Sequence, residues 1–211
     1  MKQMKRILVL IALISITKCV QAQQRIIAEC TISYSIAPSD TASVDTKQIL
    51  KSSTKTVYIK GNTSRADLMS PSFNQSIIYD KTTGEATVLR EFGNNKFITK
   101  LDNDKWKEEN KKFDGLTIEA TDIHKRIAGY DCKRSVIHLK DGSTYYLFYT
   151  SAIIPSVKEF EYQFKNISGL VLEYEAVGAS GEKVTYTATK VNLSPVPNTY
   201  FIIPTSGYRV L

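Results

Sequence analysis

Apolar and polar residues alternate in short runs along most of the chain after residue 22, and turn residues separate these runs. Alternation with period two is typical of β-strands buried on one face, because successive side chains point to opposite sides. The runs occupy residues 25–36, 54–60, 64–69, 75–80, 85–91, 96–101, 123–127, 132–140, 144–150, 169–176, 183–191 and 200–203. Gly61-Asn62 and Asp141-Gly142 are hairpin signals between neighbouring runs. The pattern predicts a mainly β fold with one large antiparallel sheet.

Three stretches depart from this alternation and predict short helices lying over the sheet. Residues 102–112, DNDKWKEENKK, are good helix formers and begin with residues that can cap a helix N-terminus. Residues 154–164 carry Val157 and two phenylalanines at spacings of three and four, as on one face of a helix. Residues 40–50 form a third candidate. We therefore expect an α+β fold with two or three short helices.

The strand predicted at 144–150 is apolar on both faces, because residues 145–149 read YYLFY. A strand of this composition is covered on both sides. Packed helices, the opposite wall of a curved sheet, or a bound apolar molecule could each supply the second cover. The pattern leaves these three alternatives open.

The first 22 residues have the parts of a secretory signal peptide. Basic residues precede an apolar run at 7–16, and Val20-Gln21-Ala22 offers small residues for cleavage. A transmembrane helix needs about 20 apolar residues, and this run is about half that length. We therefore expect residues 1–22 to be removed and residues 23–211 to form a single domain without a transmembrane span.

Cys19 is a candidate for lipid attachment, but that chemistry needs a small residue before the cysteine, and Lys18 stands there. We expect Cys19 to be removed with the signal peptide. The brief lysine-rich signal is typical of a bacterium. The mature protein is therefore expected in the periplasm or outside the cell.

The charge of the mature chain argues against a nucleic-acid partner. The whole chain has a net charge of +7, and its signal segment holds four basic residues and no acidic one. The excess therefore falls to +3 in the expected mature chain. A nucleic-acid binder needs a concentrated basic stripe, whereas the remaining lysine and arginine residues are mixed with acidic ones.

Cys30 and Cys132 are the two cysteines expected to remain after cleavage. Cysteines of exported proteins tend to pair, because the compartment is oxidising. A bridge closing a loop of about 100 residues stabilises by up to about 4.7 kcal/mol in the chain-entropy model. The sequence favours a structural disulfide, with two separate buried thiols as the alternative.

Residues that could catalyse a reaction or bind a metal are scattered. His124 and His138 are the only histidines, and neither belongs to a cluster of metal-ligating residues. Gly178-Ala179-Ser180-Gly181 lacks the spacing of a serine nucleophile elbow. We therefore expect no catalytic residue, no metal site and no cofactor.

Several motifs in the C-terminal half resemble secreted envelope proteins of Gram-negative bacteria. The motifs are RIAGYDCKR, DGSTYYLFYT, FKNISGLVLEYEA with VTYTATKV, and PVPNTYFIIPTSGYRVL. The domain of those proteins has no assigned function, and its relatives include the group named for its Gly-Leu-Pro-Gly-Leu-Ile motif. Residues 167–172, ISGLVL, occupy that place here without the first Gly-Leu-Pro. The resemblance covers residues 54–211.

The architecture is more distantly similar to the periplasmic lipoprotein carriers LolA and LolB. This resemblance implies that the sheet curves into an open half-barrel, with the helices over its concave face. It also implies an apolar cavity that could shelter acyl chains. It carries over no catalytic residue.

Two functions are compatible with these features. The first is a non-enzymatic carrier or binder of a lipid-like ligand, such as a lipid or a lipoprotein acyl chain. The alternative is a structural or protein-interaction module of the envelope with a filled core, whose partner is another envelope protein. For the first function, the expected apolar lining is Phe97, Leu101, Trp106, Tyr145, Leu147, Tyr149, Phe160, Leu170 and Leu172.

The signal segment predicts the N-terminus of the exported protein. When the full chain is expressed in a Gram-negative host, we expect cleavage after Ala22 and recovery from the periplasm or medium, because the apolar run is too short to remain as an anchor. N-terminal sequencing and intact-mass measurement check this outcome. Recovery of the uncut chain in the membrane fraction would contradict it.

Overall fold

The computed structural model describes residues 24–39, 42–178, 181 and 183–211. The expected signal peptide at 1–22, including Cys19, lies outside the described residues. The strands are β1 (Arg25–Ile27), β2 (Glu29–Pro38), β3 (Thr54–Lys60), β4 (Thr63–Met69), β5 (Asn74–Asp80), β6 (Ala86–Phe92), β7 (Asn95–Leu101), β8 (Thr117–Ile127), β9 (Tyr130–His138), β10 (Thr144–Thr150), β11 (Ile153–Pro155), β12 (Leu170–Val177), β13 (Lys183–Asn192) and β14 (Arg209–Val210). The helices are α1 (Val44–Lys51) and α2 (Asn103–Glu109), with single 3-10 turns at Lys111–Phe113, Tyr162–Phe164 and Asn198–Phe201.

Twelve of these strands form one open sheet, in the order β14-β7-β6-β5-β4-β3-β2-β13-β12-β10-β9-β8. Every pair in it is antiparallel except β14 with β7. Strands that follow one another in the chain pair antiparallel from β2 to β7 and, with β11 left out, from β8 to β13. The two runs meet where β13 pairs with β2. The predicted mainly β fold with one large antiparallel sheet is confirmed.

Strands β1 and β11 pair separately and in parallel. The sequence pattern treats residues 25–36 as one strand with Ile26 and Cys30 on the same face, but a bend at Ala28 divides it. Ile26 is therefore exposed, whereas Ile27 and Cys30 are buried. The bend is held by the Ala28 carbonyl oxygen, which accepts a hydrogen bond from the Gly61 amide at 2.8 Å.

Both α-helices begin at capping residues that the sequence supplies. The Ser43 side chain accepts a hydrogen bond from the Thr46 amide, and the Asp102 side chain accepts one from the Lys105 amide. These helices correspond to the candidates at 40–50 and 102–112. Among the described residues, no helix combines the length and apolar character that crossing a bilayer requires.

The predicted helix at 154–164 is wrong. Ile153, Pro155 and Val157 are buried at a spacing of two, and strand β11 begins this stretch. Its backbone is paired with β1, since the Ser156 amide donates to the Ile27 carbonyl at 2.9 Å. Pairing with a partner distant in sequence thus overrides the helical spacing of the downstream aromatic residues, and only Tyr162–Phe164 forms a turn of 3-10 helix.

The predicted closing strand at 200–203 is also wrong. Asn198–Phe201 is a 3-10 turn, and the closing strand is β14, which begins nine residues beyond Tyr200. The segment between crosses the outer face of the sheet, where Tyr200 stacks on Tyr58 with ring centroids 4.4 Å apart. Further along, Ile203 and Tyr208 pack on a second core cluster, formed by Ile78, Leu89 and Ile98.

The main core lies under β10 and β12. Leu147, Leu170 and Leu172 have no exposed surface there. Gly169 has no room for a side chain, because a Cβ atom would lie 2.1 Å from the carbonyl oxygen of Thr150. The glycine of the ISGLVL stretch is therefore required by the close approach of two neighbouring strands.

The predicted disulfide is not formed in the structure. Cys30 and Cys132 are free, and both are buried. They lie on β2 and β9, four places apart in the sheet order. The alternative of two separate buried thiols describes this structure.

The buried thiols predict a specific labelling pattern. Burial raises the pKa of Cys30 to about 12 and that of Cys132 to about 11. We therefore expect slow alkylation of the folded protein near neutral pH, because the thiolate is the reactive form. After denaturation without reductant, both thiols should be alkylated, as measured by intact mass. Labelling that appears only after reduction would establish the disulfide instead.

Candidate ligand-binding cavity

The inner face of the sheet encloses a cavity of about 470 Å³. Residues from β3 to β7 line one side of it, and residues from β9, β10, β12 and β13 line the other. Because the two halves of one sheet face the same space, the sheet bends around the cavity. Helix α2, the turn Lys111–Phe113 and residues 160–164 complete the lining.

The floor of the cavity is an apolar row across three strands. Ala66 lies beside Ile77, and Ile77 lies beside Val88, in consecutive antiparallel pairs. All three side chains line the cavity. The alternation within each strand and the register between strands therefore combine to give a continuous apolar surface.

A second row, which contains two polar residues, runs beside this floor, two residues away along each strand. Leu68 pairs with Gln75, and Gln75 pairs with Arg90. The Arg90 Nε donates a hydrogen bond to the Gln75 Oε1 at 3.2 Å. Arg90 also pairs with Phe97 across the next strand boundary. The cavity face thus changes from apolar to cationic over two residues of β6.

A buried ion pair joins the sheet to the segment that covers the cavity. Lys55 on β3 contacts Glu161, and 10% and 23% of these side chains are exposed. The Lys55 Nζ also lies over the rings of Tyr174 and Tyr186, 5.4 and 4.9 Å from their centroids. The charge of Lys55 is therefore compensated by a carboxylate and by two aromatic faces.

Aromatic side chains form the deep wall of the cavity. Tyr174 stacks on Tyr186 with centroids 4.8 Å apart, and Phe164 meets the Tyr174 ring edge-on at 5.0 Å. Burial, together with the nearby charge of Glu161, raises the pKa of Tyr174 well above its usual value. Its hydroxyl therefore stays neutral, and this wall presents rings rather than charges.

Helix α2 covers the cavity through few side chains and has no buried residue. Trp106 packs on Tyr79 and Tyr162, with centroids 6.0 and 6.5 Å apart. Phe113 after the helix also contacts Tyr162, at 6.4 Å. Helix α2 is thus attached to β5 and to residues 160–164 through aromatic contacts.

The structure brings part of the predicted lining together. Five of the expected residues line the cavity: Leu101, Trp106, Tyr145, Leu147 and Phe160. Leu170 and Leu172 lie in the solid core, and Tyr149 packs against that core. Phe97 contacts Phe92 beyond the cavity, at the outer end of the strands. The sequence pattern identifies aromatic strands but not how far along each strand the cavity extends.

The polar lining residues Lys55, Arg90 and Glu161 are missing from the sequence prediction. The sequence carries a signal for the first two, because Lys55 shares a strand face with Val57 and Arg90 shares one with Val88. A cation at an apolar-facing position of a strand indicates a partner or a cavity. Glu161 gave no such signal, because it lies in an irregular segment.

The histidines lie away from the cavity. His138 Nε2 is 2.9 Å from Glu119 Oε2 on the exposed β8–β9 hairpin, and His124 is exposed on β8. Among the described residues, no three His, Cys, Asp or Glu side chains are placed to hold a metal ion. The expectation of a non-enzymatic protein stays a prediction.

No family model matches the chain, and no curated protein matches it. Similar solved structures include the MucA/MucB complex of Pseudomonas aeruginosa, with 10% identity and a TM-score of 0.45 over 93% of this chain and 62% of that chain. MucB in complex with MucA(peri) has 10% identity and a TM-score of 0.43 over 90% of this chain and 58% of that one. The chain therefore spans about three fifths of these MucB chains.

A LolA-superfamily protein from Nitrosomonas europaea has 13% identity and a TM-score of 0.28, over 83% of this chain and 89% of that chain. The identities and TM-scores are low for all three structures. The relationship to the Gly-Leu-Pro-Gly-Leu-Ile group stays a prediction.

The buried pair predicts non-additive stability effects. Glu161→Gln leaves the Lys55 ammonium buried without its counter-charge, so we expect destabilisation by about 1–3 kcal/mol. Lys55→Met with Glu161→Gln should cost less than the sum of the single changes. Urea unfolding of the four proteins measures this coupling.

Lys105→Met is the matched control, because the Lys105 side chain is 68% exposed and lies 3.9 Å from Asp102. Its effect should stay below about 0.5 kcal/mol. Additive effects at Lys55 and Glu161 would mean that the pair does not hold residues 160–164 against the sheet.

Proposed function

We propose that this protein is a non-enzymatic binding protein of the bacterial envelope that holds an acyl-chain ligand in an open half-barrel. The observation that carries this proposal is the cavity of about 470 Å³ on the inner face of the sheet. Pockets for small ligands have volumes of about 300–1,000 Å³ and mostly apolar walls. Most lining residues here are apolar or aromatic.

The cavity has the parts that an acyl chain requires. The apolar floor consists of Ala66, Ile77 and Val88, and the rings of Tyr174 and Tyr186 supply a wall. Burial of a chain on such surfaces stabilises by about 0.8 kcal/mol per CH₂ group. A carrier therefore needs no conspicuous polar motif to bind tightly.

The half-barrel also supplies a route for entry. Helix α2 buries no residue of its own and is attached through Trp106 and its neighbours. Displacing α2 would separate a few aromatic contacts and leave the strands paired. We infer that α2 moves away from the sheet when the ligand enters.

The signal segment at 1–22 supports an envelope location. In that compartment the candidate ligands are membrane lipids and the acyl chains of lipoproteins. The alternative function, an interaction module with a filled core, is less compatible with an open cavity of this volume. The cavity therefore favours the binding function.

A cavity-filling substitution tests this function. Leu68 lines the cavity, so Leu68→Trp should occupy ligand space and weaken uptake of cis-parinaric acid by about tenfold or more. The neighbouring Met69 is 53% exposed and points to the outer face, so Met69→Trp should bind like the wild type. Fluorescence titration measures the affinities, and circular dichroism checks that both variants fold.

Two results would contradict the proposed function. One is a wild-type protein that takes up no probe in saturable fashion. The other is equal affinity of the wild type and a folded Leu68→Trp variant, which would place the probe outside the cavity.

A further inference from the structure

We propose that Arg90 is the anion-binding residue of this cavity and that the ligand is a single-chain amphiphile with a carboxylate or phosphate head. This inference rests on the proposed binding function and names its ligand class. It follows from the juxtaposition of a half-buried guanidinium, short of partners, with the apolar floor.

The guanidinium of Arg90 has unused hydrogen-bonding capacity. It carries five N–H donors, and among the described residues only its Nε is used, in the bond to Gln75 Oε1. Within the described part of the chain, no carboxylate lies within ion-pair distance of Arg90. A half-buried cation without a counter-charge is costly, which indicates that an anion from outside the chain completes the site.

The other charges of the deep cavity are already matched. Lys55 is paired with Glu161. Glu175 accepts a hydrogen bond from the Tyr146 amide at 3.1 Å and lies 3.8 Å from the Lys183 ammonium. At the rim, Glu109 and Lys112 are both exposed to water and of opposite sign. Arg90 is therefore the half-buried charge that an incoming anion would meet.

The bond that Arg90 donates to Gln75 leaves the Nη edge of the guanidinium available. With Nε engaged, the two Nη groups remain to bind two oxygens of one carboxylate or phosphate. Gln75 fixes the plane of the guanidinium, so it is a positioning residue. A lysine at this position would supply charge without the two-pronged geometry.

The direction of the tail follows from the register. Val88 lies two residues from Arg90 on β6, about 6.8 Å away along the strand and on the same cavity-lining face. Ile77 and Ala66 continue this apolar floor across the next two strands. A head bound at Arg90 therefore places the first carbons of the tail directly on the floor.

The outer side of Arg90 is bordered by an aromatic rim. Phe92 packs on Phe73 with centroids 4.7 Å apart and on Phe97 at 6.5 Å. Phe92 remains 48% exposed, so this rim meets solvent. The rings of this rim would shield an anion bound at Arg90 from water, which strengthens the interaction between the two charges.

Binding of three oleoyl probes tests the inference. Oleic acid has a carboxylate head, oleoyl lysophosphatidic acid has a phosphate head, and monoolein is neutral with the same chain. We expect at least one anionic probe to bind the wild type about tenfold or more tightly than monoolein, because charge-assisted bonds add affinity beyond that of the tail. Isothermal titration below the micellar range measures the affinities.

Substitution of Arg90 gives the second part of the test. Arg90→Met keeps an apolar stem of similar length, so it should remove the preference for the anions and leave monoolein binding unchanged. Arg90→Lys should keep part of the preference. Lys100→Met is the matched control. Lys100 is exposed on the face of β7 that points away from the cavity, and its substitution changes the net charge by the same amount as Arg90→Met.

The outcomes separate the two proposals. Tighter binding of the carboxylate or of the phosphate probe supports the inference and identifies the head that fits. Equal binding of all three probes, or a preference that survives in folded Arg90→Met, overturns it while the proposed function stands. Failure of the wild type to bind any probe overturns the proposed function itself.

Discussion

The pairing of β2 with β13 is the constraint on which the rest of the structure depends. It runs from Pro38 with Val184 to Thr31 with Asn192, between segments about 150 residues apart in the chain. Without it, the two runs of strands would be separate sheets, and β2 and β13 would be unpaired edge strands. With it, the inner face of β3–β7 lies opposite that of β9–β12, and the space between them becomes the cavity.

The two faces of the first run of strands are covered in different ways. The outer face is covered by the chain itself, because the C-terminal segment places Ile203 and Tyr208 on Ile78, Leu89 and Ile98. The inner face of the same strands carries the open cavity. One face is therefore covered by the chain itself, and the other carries a cavity. This difference favours a binding role for the inner face.

The two cations of the cavity differ in how completely they are matched. Lys55 is paired with Glu161, which joins residues 160–164 to the sheet. Arg90 is held by Gln75 through its Nε. The first arrangement concerns stability, whereas we propose that the second serves ligand recognition.

The sequence by itself determined the strands between Thr54 and Leu101, since the alternation of apolar and polar residues is local and survives there almost unchanged. Where a distant partner decided the backbone, as for residues 153–157 against β1, the helical spacing was misleading. The cavity was decided only by the tertiary structure. Alternation tells which residues of one strand share a face, but the bend of the sheet and the register between strands determine which faces meet. For that reason Leu101 and Leu170, equally apolar in sequence, lie respectively at the cavity and in the solid core.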